Sequence, residues 1–252
     1  MRHNRQSAYT LLELSVVLVI LSLMMAGALA MLTQKSRIDQ MKELRIKMQA
    51  IEEGLIAYTK RSNTAALPCP APFYAITHAS FGVANPSGCA GMTYDDPSSV
   101  AGTVPVKTIG LPDSYAFDPW GNQFTYVVEK ASATTNALTT NPISSSGLGS
   151  ITVKDTNDNN ITTTAIVVLI SHGPDGFGAF IRKGTRKSGY SSNAMQQKNC
   201  HCDEDGADDT YDSIFYAGQN TLDITDSEDR FDDIVIHFER SSFPVGEDLV
   251  VD

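Results

Sequence analysis

Three regimes of hydrophobic patterning succeed one another along the chain. Residues 14–32 (LSVVLVILSLMMAGALAML) run nineteen positions without a charge. As a helix that run is about 28 Å long, close to the roughly 30 Å of a bilayer's hydrocarbon core. Arg2, His3 and Arg5 lie ahead of it. A basic flank stays cytoplasmic, so the ~220 residues that follow are expected on the far side of the membrane. Beyond residue 32 the pattern changes. Met41, Leu44, Met48, Ile51, Leu55 and Tyr58 recur every three or four residues, with Lys, Arg, Glu and Gln between them. That is one apolar stripe on a continuing helix. No proline falls within residues 11–58, so a helix is predicted over 10–60, roughly 75 Å long. The stripe suits a free coiled coil or the spine of a globular head, and the β-rich sequence behind it points to the spine.

Pro68, Pro70 and Pro72 open the third regime, since none of them can continue a helix. Residues 68–112 are rich in Pro, Gly, Ser and Ala and read as a long irregular region. Asp118-Pro119-Trp120-Gly121-Asn122 is a turn cluster, and residues 123–129 (QFTYVVE) a strand. Residues 131–150 are Ser/Thr/Asn-rich without a period and read as an exposed insertion. Residues 151–154, 164–170 (TAIVVLI), 178–182 and 233–239 (DIVIHFE) are further strands, 164–170 central. Asp155-Thr156-Asn157-Asp158-Asn159 begins like a calcium loop, but Asn160 stands where the turn glycine belongs, so it reads as a hairpin turn. The predicted fold is α+β, a long helix packed on an antiparallel sheet. Its parts are a membrane segment at 9–32, an amphipathic continuation at 33–61 and an exported head at 62–252.

Composition narrows the chemistry. The chain has 252 residues, 42% of them hydrophobic and only 19% charged, with a net charge of −10. A balance this acidic argues against a nucleic-acid partner, which needs a basic face. Four cysteines suit an oxidising compartment. Three pairings are open, and Cys69–Cys89 with Cys200–Cys202 is the one favoured. A zinc site at Cys200-His201-Cys202 is disfavoured, because three adjacent ligands can hardly turn to one tetrahedral ion. The acidic run Asp203, Glu204, Asp205, Asp208 and Asp209 reads as a solvated loop. No P-loop, dinucleotide fingerprint or G-x-S-x-G elbow occurs, and no enzymatic role is expected.

One residue does not belong in a plain signal peptide. Glu13 sits at the mouth of the apolar run, where a carboxylate at membrane depth costs about 2.5–3.5 kcal/mol. It either snorkels to the headgroups or has a partner. The stretch Ala8-Tyr9-Thr10-Leu11-Leu12-Glu13-Leu14 resembles the processing site of type IV pilins and the pseudopilins of type II secretion. The resemblance implies a leader over 1–8 and cleavage between Ala8 and Tyr9 by a prepilin peptidase. It also implies N-methylation of Tyr9, and Glu13 as the fifth residue of the mature chain. In a fibre, Glu13 would then meet the freed amine of a neighbouring subunit, each relieving the other's burial cost. Two departures stand out. Ala8 replaces the family's usual glycine, and Ala30 stands where many members carry a helix-kinking proline. The rival reading is the A-x-A pattern Ala28-Leu29-Ala30, at which signal peptidase would free a soluble protein beginning at Met31.

Two further fragments are similar to major pseudopilins: the DPWGN turn with its aromatic strand, and Ser171-His172-Gly173-Pro174-Asp175-Gly176 together with Phe231-Asp232-Asp233-Ile234. By that resemblance Ser171, Asp175 and Asp232 are candidate Ca²⁺ ligands, hard oxygens that suit the ion. The alternative is ordinary turn-forming and strand-capping Asp. The expectation is therefore a pilin-like structural subunit of a type II secretion-like fibre. Its partners would be prepilin peptidase, other pilin-like subunits, the inner-membrane assembly platform and lipid. The alternatives are a minor type IV pilin in adhesion, motility or DNA uptake, and a membrane-tethered periplasmic binding protein.

Overall fold

The structure is a computed structural model. It describes residues 11–61, 64–86, 89–143, 147–204, 206–218 and 231–245, without the side chains of 11 and 26–34. Ala8 and Tyr9 lie outside the described residues. The chain divides into two compact units, residues 1–43 and 44–252.

Helix α1 (Leu11–Arg61) takes up the whole of the first two hydrophobic regimes. In the first unit every large hydrophobic side chain from Leu12 to Met25 is exposed. The hydroxyls of Ser15 and Ser22 donate back to the carbonyls of Leu12 and Val19, both at 2.8 Å, so neither needs an outside partner. Among the described residues no helix is long and apolar enough to cross a membrane. The expected span at 9–32 includes 9–11 and 26–32, whose side chains lie outside the described ones.

In the second unit the stripe of α1 is buried at Leu44, Met48, Ile51 and Leu55. A Cβ on Gly54 would come within 3.2 Å of Ile109 Cδ1, and Lys47 Nζ donates to the Phe117 carbonyl at 3.0 Å. The helix therefore lies on segment 106–117. That segment holds α2 (Val106–Ile109), which ends at Gly110 in the left-handed region, as short helices often do.

The sheet has seven strands. β1 (Tyr94–Asp95), β2 (Ser99–Thr103) and β3 (Thr125–Glu129) pair antiparallel in sequence order. After the short α3 (Ala137–Thr140) come β4 (Ile151–Lys154) and the twelve-residue β5 (Asn160–Ser171). β4 pairs with the first half of β5, while β3 and β7 (Ile234–Glu239) pair with its second half. Residues 165–171 are all buried, the central placement expected of an uninterrupted apolar run. Helix α4 (Ala194–Cys200) precedes β6 (Ile214–Tyr216), which pairs parallel with β4. The sheet is thus antiparallel-rich rather than wholly antiparallel. One buried face carries Tyr94, Ala101, Val127, Ile151, Val153, Val168 and Phe215. Tyr126, between Thr125 and Val127 in the register, points to the other face, where its hydroxyl donates to the Pro68 carbonyl at 3.0 Å.

Several expectations change. The irregular region at 68–112 contains β1, β2 and α2. The insertion at 131–150 is partly packed, with Ala137 and Leu138 buried. Residues 178–182 make isolated bridges, Ile181 to Asn122 and Phe180 to Arg186, rather than a strand. The turn at 155–159 is the expected hairpin: Asp155 Oδ1 accepts from the amides of Asn157 and Asn159 at 2.8 and 2.9 Å. Cys69 is bonded to Cys89 and Cys200 to Cys202, so all four cysteines are paired.

Candidate functional site

The three motif segments singled out in the head meet at one end of β5. Asp118 opens the DPWGN turn. Its Oδ1 accepts from the amides of Trp120 and Asn122 at 3.0 and 2.9 Å, an Asx-type turn made by the side chain itself. Its Oδ2 takes the hydroxyl of Ser171 at 2.8 Å. Asn122 Nδ2 reaches on to the Gly173 carbonyl at 3.1 Å, tying turn to turn. Burial pushes the Asp118 carboxyl up, and the hydrogen bonds from Asn122 and Ser171 hold it down.

His172, next in sequence, turns the other way. It shares a 2.9 Å hydrogen bond between Nε2 and Thr125 Oγ1 of β3. Its Nδ1 faces Asp233 Oδ1 at 3.7 Å, too far for a hydrogen bond. Asp233 Oδ2 accepts from Asn199 Nδ2 at 2.9 Å. Burial pushes the Asp233 carboxyl up, opposed by His172 and Asn199. Thr125, His172 and Asp233 lie in the order of a nucleophile, base and orienting acid. All three are buried, and the cavity at Thr125 and His172 is about 10 Å³, room for about one water molecule. The Thr125–His172 bond ties β3 to the end of β5, while Asp233 is tied to Asn199 of α4.

Asp175 and Asp232 form the second half of the site. The Asp175 amide donates to Asp232 Oδ2 at 3.2 Å. Gly173, at φ +63°, permits this approach, since a Cβ there would lie 2.5 Å from the Asp232 carbonyl oxygen. Gln196 Nε2 donates to both carboxylates, 3.0 Å to Asp175 Oδ2 and 2.7 Å to Asp232 Oδ1. Lys187 Nζ donates to the Asp175 carbonyl.

Of the expected calcium ligands, the fold brings Asp175 and Asp232 together, while Ser171 gives its hydroxyl to Asp118. Ca²⁺ takes six to eight oxygens at about 2.3–2.6 Å. Here the group between the two carboxylates is an N–H donor, and an ammonium already holds the Asp175 carbonyl. Among the described residues no three His, Cys, Asp or Glu are grouped to hold a metal ion. Among the described residues, the donor set in this arrangement does not fit the ion.

Gln196, Asn199 and Lys187 were not foreseen from sequence. A signal for the first two exists. Asn193-Ala194-Met195-Gln196 is an N-cap pattern with Gln at the third helical position. Asn193 Oδ1 does cap α4, accepting from the amides of Met195 and Gln196. The acidic run after Cys202 is the solvated loop expected, with Asp203, Glu204, Asp208 and Asp209 all exposed; Asp208 also pairs with Arg186 at 2.7 Å and accepts from Tyr94 at 2.5 Å.

At the other end of the chain Glu13 lies exposed in the first turn of α1, where the helix dipole favours an acid. Residues 3–29 match the prokaryotic N-terminal methylation motif. The chain is thus pilin-like at its N-terminus, with the motif that marks substrates of prepilin peptidase. No curated protein and no solved structure matches it.

Proposed function

We propose that this chain is a pseudopilin of a type II secretion-like system. It is inserted in the inner membrane through 9–32, cut between Ala8 and Tyr9, methylated at Tyr9, and drawn into a periplasmic fibre that aids protein export. The observation that carries this reading is the methylation motif over 3–29, with Glu13 in register as the fifth residue of the mature chain. The exposed apolar side chains of 12–25 and the inward-bonded Ser15 and Ser22 support it, being suited to lipid first and to neighbouring helices later. Glu13 supplies the selectivity: a subunit is held when its carboxylate meets a neighbour's amine in a medium of low dielectric.

Mass spectrometry of the chain purified from cells should find an N-methylated Tyr9 at the mature N-terminus; a chain beginning at Met31 would replace this reading with a released periplasmic protein. Glu13→Ala should leave membrane insertion intact and abolish incorporation into fibres, and normal fibres with this variant would refute the assembly role. Deleting the gene should halt export of a periplasmic protein and leave surface pili and DNA uptake unchanged. The opposite result assigns the chain to a type IV pilus.

A further inference from the structure

Two carboxylates held side by side, each with its charge, repel unless something positive or hydrogen-donating lies between them. Asp175 and Asp232 are such a pair. We propose that in this chain the Gln196 side-chain amide, with the Lys187 ammonium on the Asp175 carbonyl, closes the Asp175–Asp232 junction, so that the head is set without a metal ion. The inference concerns the head alone and stands or falls apart from the filament reading.

The amide's orientation follows from chemistry. Ionised carboxylates only accept hydrogen bonds, so the end of Gln196 that touches both must be its NH₂. The two protons of that group serve Asp175 Oδ2 at 3.0 Å and Asp232 Oδ1 at 2.7 Å. The other end is occupied as well: Gln196 Oε1 accepts the Ser191 hydroxyl at 2.6 Å. Ser191 Oγ in turn accepts from the Asn193 amide at 3.1 Å, and Asn193 caps the helix from which Gln196 projects. With Gln196 only 1% exposed, the amide cannot swing away to water. Its carbonyl oxygen, the one atom with which it could ligate a cation, faces away from the carboxylates. Lys187 adds a positive charge at the Asp175 carbonyl, where a second cation would be repelled. The junction joins the loop after β5 to the start of β7, which the Asp175 amide and Asp232 Oδ2 also do directly.

The test is thermal unfolding of the full-length chain in detergent, in EDTA and in millimolar CaCl₂. The wild type should melt at the same temperature in both. Gln196→Glu exchanges the donor for a third carboxylate; in EDTA its Tm should fall by about 4–10 °C, and calcium should recover much of the loss. A wild-type Tm that climbs several degrees with calcium and returns with EDTA would overturn the proposal. So would a Q196E melt equal to wild type in EDTA. Should Q196E fail to fold without calcium, Gln196→Met, uncharged and similar in volume, serves instead. Its Tm should fall equally in both media, and a melt unchanged from wild type overturns the amide's role.

Discussion

His201 shows what a single side chain contributes. It ends α4 in the left-handed conformation, φ 48°, between the bonded cysteines 200 and 202. Its ring is buried edge-on to Tyr211 and Phe215, and neither ring nitrogen has a hydrogen-bond partner among the described residues. Burial pulls its pKa from 6.5 to about 4. The unfolded chain therefore binds the proton first, so His201's contribution is fully present above pH 6.5 and is lost as pH falls towards 4. The loss amounts to about 3 kcal/mol. Asp118 and Asp233 act with the opposite sign, since their raised folded-state values cost stability as pH rises through them. The difference between wild type and His201→Phe, in urea melts at pH 7 and 4.5, isolates the histidine. The wild type should lose more stability than the variant across that interval. None of this was legible in Cys-His-Cys as a string, because burial is conferred by Tyr211 and Phe215, which reach the ring only through the fold. Glu13 was legible, because an acid beside nineteen uncharged residues is anomalous in one dimension.

At the scale of elements, legibility follows how much of an element's reason lies within it. α1, β4 and β7 appear within a residue or so of their predicted bounds, since periodicity or apolar content alone sustains them. β2 was hidden in the Pro/Gly/Ser-rich stretch. Ser99-Val-Ala-Gly-Thr has little strand propensity of its own, and is a strand because β3 pairs with all five residues. Its glycine is needed for a further reason: a Cβ on Gly102 would stand 2.4 Å from the Ala71 carbonyl oxygen, beside the Ala71–Thr103 bridge with its 2.9 and 2.8 Å bonds. Gly102→Ala should cost about 1–3 kcal/mol in a denaturant melt, with faster amide exchange at Ala71 and Thr103 and little change in β7. α4 was missed because seven residues show no period, although its cap pattern was present. The central run at 164–170 was legible, but β5's extension back to Asn160 was not, for among residues 160–163 only Thr162 is buried, and they pair only with β4.

For the molecule as a whole, a long apolar leading helix and an α+β class were legible in the sequence, because the first is a matter of composition and the second of strand content. Topology was not legible. The parallel pairing of β6 on β4 joins residues about sixty apart with β5 and α4 between them, and such pairings are fixed only when the rest is in place. The Cys69–Cys89 bond, with Cα atoms 5.2 Å apart and twenty residues of separation, restrains the loop leading into β1. Cys69→Ser with Cys89→Ser should lower stability by about 3 kcal/mol, read as a fall of about 6–12 °C in Tm. An unchanged melt would mean the loop is held by its packing alone. The clip that Gln196 makes between two acids has a wider consequence. On that proposal, a head closed by its own neutral side chain would not wait on its surroundings for mineral, and would keep its shape in soft water and brine alike.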